Sequence, residues 1–413
     1  MRVAFLVGSF PKTSETFILD QITGLLTRGI DVDLYAERPD ANDQIHPDYF
    51  VYKLQNRVTY PLPGKNSKLY RLFHFPKMFF WGVRLNPLPV IKSLNFFKYG
   101  LKALSLTLFY EIIPLLPQKK YDIIHSHFGQ EGIKAQTLRD LGIFEGKLIT
   151  SFHGHDISTH LKLHGENIYN SLFTKCDLFL PISDFWKKRL IALGCKKHRI
   201  RIHHMGIDGN SFKFHPKISF KNKKVINVLS IARLIEKKGL EFSIKAIAKT
   251  LKTFSNIKYT IIGDGLLRSN LQNLLKKLNV EDKIDIVGWK NRKEVIGALE
   301  NTDIFLAPSV TASNGDMEGI PVVLMEAMAI GIPVISTMHS GIPELIKNRE
   351  TGFIVPERDI DAISKIIEKM LINKFDLSTI TKNARTLVEK KFNVNKQVDE
   401  LVELYKNLTK LKE

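Results

Sequence analysis

Residues 303–337, DIFLAPSVTASNGDMEGIPVVLMEAMAIGIPVIST, contain a complete strand, loop, helix and strand. The apolar strand DIFLAPS ends near Ser309. Pro321 stands where a helix can begin, because the fixed φ of proline suits the first helical position. Gly331 then ends the helix before the strand PVIST. A strand, a helix and a second strand in this order form the repeating unit of a parallel, doubly wound sheet.

The same alternation runs through most of the 413 residues. Predicted strands begin at residues 1, 30, 121, 147 and 177 in the first half, and at residues 225, 258 and 283 in the second. Residues 205–224 are rich in Gly, Pro and Lys without an apolar period, which is typical of a linker. We therefore predict an α/β fold with two doubly wound domains, residues 1–206 and 207–390, and a terminal helix at 391–413.

Residues 49–110 interrupt this alternation with a basic, aromatic segment that contains no Asp or Glu. Its cationic residues are Lys53, Arg57, Lys65, Lys68, Arg71, Lys77, Arg84, Lys92, Lys98 and Lys102. Cations with interleaved aromatic rings suit the headgroup region of an anionic bilayer, so we predict that the segment binds a membrane surface. The alternative is a solvated basic face whose aromatic side chains belong to the core. The formal charge of +19 also admits nucleic acid, but no nucleic-acid-binding motif accompanies it, and we predict no such partner.

The rest of the composition predicts a cytoplasmic protein without a spanning helix. No apolar run reaches the roughly 20 residues that a transmembrane helix needs, and the first strand is too short for a signal peptide. Cys176 and Cys195 lack any ligand-like spacing, so we expect reduced, structural thiols. His125 and His127 have a spacing that metal sites use, but their loop offers no further ligand, and we predict no metal.

Two glutamates in the opening stretch are separated by seven residues. Glu318 lies in the loop at the carboxyl edge of the predicted sheet, where such folds bind ligands, and Glu326 lies about one and a half turns into the helix. Arg233 and Lys238 follow the first strand of the second half and reach the same edge. The helix start and the two cations favour a diphosphate as the ligand. The two glutamates can accept hydrogen bonds from hydroxyl groups on either side of it, which is the layout of a nucleotide sugar. Taken singly, these features also fit a helix cap, a structural salt bridge or a solvated basic loop.

An ordered series of motifs in the second half supports the nucleotide-sugar interpretation. It reads IARLIEKKG, IIGDG, IVGWKNRKEV, DIFLAPS, the two glutamates, PVIST, HSGIPELI and TGFIVPERD. In order and spacing, the series resembles the glycogen-synthase-like retaining glycosyltransferases of the GT-B architecture. The first half is similar more loosely, through MRVAFLVGSFP, SFHGHDIS, LPISDFWKKRL and HHMGID. Its SETF stretch at Ser14 resembles the enzymes that build exopolysaccharides such as colanic acid.

The resemblance implies roles for individual residues. Glu326 would bind the donor ribose and Glu318 would face the transferred sugar, while Arg233 and Lys238 would hold the diphosphate. His153 would lie near the sugar and complete the catalytic set. The other implied donor-binding positions are Gly8, Val287, Trp289, Gly319, Ile320 and Val322. The main chain near Val287 and Trp289 would receive the base.

The first loop departs from the pattern of the family. Gly8 is followed by Ser-Phe-Pro where many relatives have a glycine pair, and close approach of backbone to phosphate needs absent side chains. Ser14, Glu15 and Thr16 are therefore alternative contacts for donor or acceptor. For His155, a direct role and a buried structural role both stay open.

The resemblance implies two Rossmann-like domains that face each other across a cleft, with the terminal helix returning to the first. The first domain would bind the acceptor and the second the donor. The implied reaction is retaining, metal-independent and cofactor-free transfer of a hexosyl unit from a nucleoside-diphosphate sugar to a growing, lipid-linked surface glycan. The enzyme would work at the inner face of the plasma membrane. Alternatives are a nucleotide-sugar 2-epimerase, which needs no acceptor, and a non-catalytic nucleotide-sugar-binding protein.

Overall fold

The computed structural model describes residues 1–12, 15–40, 45–62, 67–116, 120–221 and 223–410. Within these ranges, the strands form two parallel six-stranded sheets, one in each half of the chain. The strands are β1 Arg2–Ser9, β2 Asp31–Arg38, β3 Val58–Thr59, β4 Ile123–His127, β5 Lys147–Phe152, β6 Leu178–Pro181, β7 Ile226–Ile231, β8 Ile257–Ile262, β9 Ile284–Gly288, β10 Ile304–Ala307, β11 Val334–Thr337 and β12 Phe353–Val355. Their order is β3-β2-β1-β4-β5-β6 and β9-β8-β7-β10-β11-β12. This order confirms the prediction of two Rossmann-like, doubly wound domains.

Helices cover the faces of both sheets. They are α1 Thr16–Thr27, α2 Asp48–Val51, α3 Lys68–Leu85, α4 Pro87–Ser93, α5 Phe96–Tyr99, α6 Leu101–Leu104, α7 Thr107–Ile112, α8 Gly129–Leu141, α9 Thr159–His164, α10 Asn170–Lys175, α11 Asp184–Ala192, α12 Leu240–Thr250, α13 Arg268–Leu278, α14 Arg292–Glu300, α15 Val322–Ile330, α16 Ile342–Leu345, α17 Ile360–Leu371, α18 Leu377–Lys391 and α19 Val394–Lys410. Helix α15 begins directly after Pro321 and ends at Gly331, whose φ of 95° is left-handed. The strand, loop, helix and strand predicted over residues 303–337 are therefore confirmed.

Each sheet is buried on both faces, as the nearly continuous apolar strands require. In β1, Ala4 and Leu6 belong to the apolar cluster on one face, whereas Val3, Phe5 and Val7 belong to the cluster on the other. Successive side chains of a strand point to opposite faces, so a single strand serves both clusters. Since the faces are filled in this way, the loops at the carboxyl ends of the strands are the places where a ligand can bind.

The chain crosses between the two domains twice. It passes first through the linker and returns before α19, whose Val398 and Tyr405 join the core of the first domain. The predicted return of the terminal helix is thus confirmed, while the domain boundaries given above stay predictions. The two crossings run side by side, because the N–H of Ile207 donates to the carbonyl of Phe392 at 2.8 Å and the N–H of Val394 donates to the carbonyl of Ile207 at 3.0 Å.

The described part of the basic aromatic segment folds mainly as helices α2–α7. One group of its aromatic side chains packs against the core of the first domain and comprises Tyr70, Phe75, Phe79 and Tyr99. Phe73 and Phe97, in contrast, are 84% and 89% exposed. The core interpretation therefore holds for the first group, while membrane binding by the exposed residues stays a prediction. Arg71 is buried and its carbonyl accepts the Tyr110 hydroxyl, so its assignment to a cationic surface was wrong.

The described residues include no helix that combines the length and the apolar content needed to cross a bilayer. Cys176 and Cys195 are buried and carry free thiols. Burial raises the pKa of both thiols to about 12, so neither is a nucleophile at neutral pH.

The two domains contact each other along one side of the cleft. A Cβ on Gly319 would stand 2.5 Å from the Cδ1 atom of Ile182 in the first domain. The Glu344 carboxylate accepts the N–H groups of Asp184 and Phe185, at 2.8 and 3.3 Å, where α11 begins. A carboxylate is favourable at the start of a helix. The carboxyl ends of the two sheets are thus held facing each other across a narrow cleft.

Candidate active site

The loops that carry the predicted site lie beside the switch points of the two sheets. Gly8 is near the end of β1, which pairs with β4 where the strand order of the first sheet reverses. The loop from Arg233 to Lys238 follows β7, and Glu318 follows β10, on the two sides of the reversal in the second sheet. Ligands of such sheets bind in the crevice outside the strand ends at this point. The fold therefore gathers these residues at one crevice.

Glu318 occupies an anion site at the start of α15. Its Oε2 forms an ion pair with Lys238, and its Oε1 accepts the N–H of Gly319 at 3.3 Å. Burial opposes ionisation, yet Lys238 lowers the pKa of Glu318 to about 2. Ile320, which is buried, and Val322, which begins the helix, follow this carboxylate directly. A diphosphate bound here would compete with the Glu318 carboxylate for the same cation and N–H group.

A single turn of 3-10 helix, Glu236–Lys238, sends two adjacent lysines to different partners. Lys237 is buried and binds Asp316 at 3.1 Å, whereas Lys238 turns to the carboxylate described above. Burial opposes ionisation of Asp316, but His155 of the first domain and Lys237 lower its pKa to about 2. His155 lies 3.5 Å from Asp316 with its side chain 52% exposed, so the buried structural role is wrong for it. Lys237 holds the loop, and Lys238 faces the site.

Gly239 allows the loop after β7 to pass against the loop after β10. Its φ is +64°, and a Cβ there would stand 1.9 Å from the carbonyl oxygen of Pro308, so the position requires glycine. On the same loop, Arg233 is exposed. Within the described ranges, its guanidinium has no hydrogen bond or ion pair. Its charge is therefore available to a diphosphate.

Glu326 is buried on α15 and is bonded to Arg292 at 2.5 Å. Burial raises the pKa of Glu326, while the guanidinium acts in the opposite direction. Arg292 begins α14 and also lies over the ring of Phe212, 5.3 Å from its centroid. Ribose hydroxyls at Glu326 would therefore share this carboxylate with Arg292.

Val287 and Trp289 lie at the end of the edge strand β9. The register between β8 and β9 shifts between Ile261 and Ile262, which leaves Val287 as the extra residue of a β-bulge. Both side chains are about half exposed, at 42% for Val287 and 53% for Trp289. An exposed strand end beside an accessible aromatic ring suits the binding of a planar base.

His153 follows β5 and enters the cleft from the first domain. Its Nε2 lies 3.1 Å from Nδ1 of His127, and its ring packs between Phe17 and Phe128. Burial, with the charge of His203 second, lowers the pKa of His153 to about 3. A neutral imidazole at pH 7 can exchange hydrogen bonds with a hydroxyl but cannot stabilise negative charge as a cation. The contact of His153 with a sugar therefore stays a prediction, and in this structure the ring would act as a neutral group.

Asp156 holds the loop that carries His153. Its carboxylate accepts the N–H groups of Gly129, His153 and Gly154 at 3.0, 3.1 and 2.9 Å. Burial raises the pKa of Asp156 to about 6 against the effect of these bonds. A Cβ on Gly319 would stand 3.3 Å from the carbonyl oxygen of His153. The loop of His153 and the start of α15 are thus in direct contact across the cleft.

The remaining first-domain candidates lie near the start of α1. Gly8 is half-buried near the end of β1. Ser14 lies outside the described residues, Glu15 forms an ion pair with Lys12, and Thr16 is the first residue of α1. Contact of these positions with donor or acceptor stays a prediction.

The described residues contain no group of three or more His, Cys, Asp or Glu side chains that could hold a metal ion. His125 uses both ring nitrogens inside the first domain, at 2.6 Å from the Tyr405 hydroxyl and 2.8 Å from Ser151 Oγ. Nδ1 of His127 faces His153. The two histidines of the HSH stretch therefore serve the packing beside the cleft.

Several residues that support the site did not emerge from the sequence. They are Asp156, Lys237, Arg292, His339 and Glu357. All five stand inside stretches that the sequence analysis quotes, namely SFHGHD, IEKKG, IVGWKNRKEV, HSGIPELI and FIVPERD. The sequence therefore indicated where these residues lie, but it did not show which side chain or backbone group each of them contacts. Arg292 belongs to the marked stretch IVGWKNRKEV, where nothing distinguishes it from the neighbouring cations.

Both halves of the chain match known families. The model described as Glycosyltransferase Family 4 matches residues 14–210, and that described as Glycosyl transferases group 1 matches residues 211–388. The putative colanic acid biosynthesis glycosyltransferase WcaL of Escherichia coli K12 is 36% identical, over 98% of this chain and 100% of its own. The amylovoran biosynthesis glycosyltransferase AmsK of Erwinia amylovora is 37% identical, over 99% and 100%. Among solved structures, Anabaena HepE with UDP and glucose has a TM-score of 0.70 at 19% identity, over 99% of this chain and 100% of its own.

Proposed function

Since the chain belongs to the group 1 glycosyltransferases, we propose that it moves a hexosyl unit from a nucleoside-diphosphate sugar to a hydroxyl of a growing exopolysaccharide. The relatives named for colanic acid and amylovoran biosynthesis support the polysaccharide product. The observation that carries the proposal is the anion site at the start of α15, where Lys238 and the N–H of Gly319 converge. We propose a lipid-linked acceptor for the same reaction.

In the proposed reaction, Lys238 and Arg233 stabilise the diphosphate as its bond to the sugar breaks, because fixed cations act strongly in a closed cleft. Glu318 leaves Lys238 when the diphosphate arrives and turns to the hydroxyls of the sugar. The acceptor oxygen bonds to the anomeric carbon on the face from which the diphosphate departs, the proton of the acceptor hydroxyl passes to the departing diphosphate, and the anomeric configuration is retained. We propose that these two cations take the place of a divalent metal ion.

The nucleoside would occupy the outer part of the cleft. Glu326 accepts ribose hydroxyls beside Arg292, and the bulged main chain at Val287 meets the base next to Trp289. On the other wall, the neutral His153 exchanges a hydrogen bond with a sugar hydroxyl. The support for this arrangement is the exposure of the bulge and the low pKa of His153.

The function is tested with labelled UDP- and GDP-sugars and lipid-linked acceptor from the source cells, with and without EDTA. We expect transfer from one donor, unchanged by EDTA, and a product of retained configuration. Glu318→Ala is expected to lower kcat about 100-fold or more, the scale of a lost transition-state contact. Glu300→Ala, an exposed glutamate at the end of α14, is the matched control and should transfer sugar at the wild-type rate.

The same panel separates the alternatives. Consumption of a UDP-sugar without acceptor would indicate an epimerase instead. Binding of a nucleoside diphosphate without turnover of any donor would indicate a non-catalytic protein. A Glu318→Ala enzyme as active as the Glu300→Ala control would show that the site is assigned wrongly.

We further propose that helices α3–α6 hold the first domain on the anionic inner face of the plasma membrane. In the described part of the chain, 26 large apolar side chains are exposed, and 12 of them lie between residues 69 and 104. A concentrated apolar patch of this kind marks a binding surface. The exposed cations around it are Lys68, Lys77, Arg84, Lys92, Lys98 and Lys102. Exposed apolar side chains interspersed with cations along α3–α6, without any acid between residues 49 and 110, match a bilayer that carries anionic lipid.

Lys77→Gln with Lys92→Gln is expected to lower partitioning into phosphatidylglycerol vesicles about 30-fold, since each basic residue near an anionic surface contributes about 1 kcal/mol. Phe73→Ser with Phe97→Ser is expected to reduce the binding that persists at high salt, where electrostatic attraction is screened. Co-sedimentation at low and high salt measures both effects.

The matched control changes the same residue types in the second domain. Leu266→Ser with Lys276→Gln alters an exposed leucine and an exposed lysine there, and should sediment like the wild type. Equal sedimentation of all variants would contradict the proposal that helices α3–α6 bind the membrane. Loss of self-association without any change in vesicle binding would assign the patch to a second copy of the chain.

A further inference from the structure

The main chain of Glu318 is held on both sides by two consecutive side chains of the loop after β11. Its N–H donates to Nε2 of His339 at 2.9 Å, and its carbonyl accepts the Ser340 hydroxyl at 2.5 Å. Ser340 has a φ of 49°, in the left-handed region that residues other than glycine adopt rarely. One neighbouring loop therefore fixes the direction of the peptide that carries the predicted catalytic carboxylate.

These bonds define the protonation of His339. Because Nε2 accepts the N–H of Glu318, it carries no proton, and in a neutral ring the proton must then be on Nδ1. Nδ1 lies 2.6 Å from Oε1 of Glu357 and donates to it. His339 is fully buried, and burial lowers its pKa while Glu357 acts in the opposite direction. The ring is thus a neutral Nδ1–H tautomer that connects a carboxylate to a main-chain N–H group.

Glu357 connects this ring to the other end of the loop that carries Glu318. Its Oε2 accepts the N–H of Thr311 at 2.8 Å, and its Oε1 accepts the Thr311 hydroxyl at 3.2 Å. Burial opposes ionisation of Glu357, but the bonds from Thr311 and His339 lower its pKa. Since Thr311 follows β10 closely and Glu318 stands just before α15, the same pair of side chains fixes both ends of the loop.

We propose that Glu357 and His339 form a positioning dyad which, together with Ser340, aims the Glu318 peptide and the N–H of Gly319 at the donor diphosphate. The proposal rests on the proposed function, because it takes the diphosphate as the ligand of that loop. The N–H of Glu318 itself is bonded to His339, so a ligand can bind the start of α15 and the N–H of Gly319 once the Glu318 carboxylate releases it. His339 and Glu357 act through Glu318 and are positioning residues.

Substitutions of His339 separate positioning from packing. His339→Leu fills the space without an acceptor. We expect its affinity for UDP or GDP, whichever the wild type binds, to fall about 10- to 100-fold, and its kcat to fall as well. His339→Gln is expected to stay within about threefold of the wild type, because its Oε1 can accept the N–H of Glu318 from near the position of Nε2. His339→Asn carries the same amide on a shorter side chain, and as the matched control it should behave like the leucine variant.

Calorimetry with UDP and GDP, steady-state rates and ¹⁵N spectra of labelled histidine measure these outcomes. We expect the wild-type spectrum to show His339 as a neutral Nδ1–H tautomer at pH 7. An Nε2–H tautomer or an imidazolium would overturn the proposal, and so would equal affinities for the leucine and glutamine variants. If the wild type binds a nucleoside diphosphate but transfers no sugar, the proposed function fails, while the affinities and the tautomer still decide the role of the dyad. The measurement of the tautomer requires only the wild-type protein, so the proposal can be tested even if a variant does not fold.

Discussion

Replacing Lys238 by alanine is expected to lower kcat for sugar transfer about 100- to 1000-fold, the scale on which one preorganised charge stabilises a transition state. The ammonium group faces the predicted diphosphate site, and its present partner is the Glu318 carboxylate. Lys237 cannot replace it, because its side chain is buried against Asp316. Initial rates at saturating donor measure the effect, and we expect kcat to fall more than KM rises.

The matched control for this variant is Lys245→Ala on α12. Lys245 pairs with Glu241 at 3.0 Å on the protein surface, and exposed pairs of this kind contribute little. Its rate should stay within about twofold of the wild type. A Lys238→Ala enzyme that matches this control would show that another group carries the charge of the leaving diphosphate.

Replacing Gly239 by alanine is expected to reduce the free energy of unfolding of the second domain by about 2–5 kcal/mol. The estimate combines left-handed backbone strain of about 1–2 kcal/mol with overpacking of about 1–3 kcal/mol. The clash is severe because the new Cβ would stand 1.9 Å from the carbonyl oxygen of Pro308. Denaturant unfolding followed by fluorescence measures the change, and sugar transfer should fall with it because Lys238 is the adjacent residue.

Gly297→Ala makes the same glycine-to-alanine change, but here we expect the free energy of unfolding to rise. Gly297 lies within α14, its φ is not left-handed, and no atom lies within 4 Å of the position of a new Cβ. Alanine there should raise the free energy of unfolding by about 0.5–1 kcal/mol, because glycine is unfavourable inside helices. If Gly239→Ala were as stable as Gly297→Ala, the close contact between the two loops would be incorrect.

The sequence was sufficient for the architecture because local signals agreed with the global fold. Residues 303–337 illustrate this, since the proline at the helix start and the glycine at its end each predicted the observed boundary, and the strand predicted to end near Ser309 ends at Ala307. The order of strands then brings the loops after β7 and β10 together without any further information. The position of the site was therefore predictable from a repeated pattern.

The partners of individual side chains were not predictable in the same way. Which of Lys237 and Lys238 faces the cleft depends on one 3-10 turn, and the identities of the neighbouring residues do not predict that turn. Arg71 looked like its cationic neighbours, yet it lies on the inner side of α3. The neutral state of His153 follows from burial by Phe17 and Phe128, which come from distant parts of the chain. Such facts depend on tertiary packing, which one sequence does not reveal.

The paired crossings between the domains bear on how fast the enzyme completes a cycle. Two chain segments joined by hydrogen bonds at Ile207 are expected to move together when the cleft opens. A Cβ on Gly206 would stand 2.7 Å from the backbone nitrogen of Val394, so the paired crossings leave no room for a side chain at this position. In many enzymes opening and product release limit turnover. If release of the spent nucleotide limits turnover, substitutions at the paired crossings would change the rate of release without changing the rate of the chemical step.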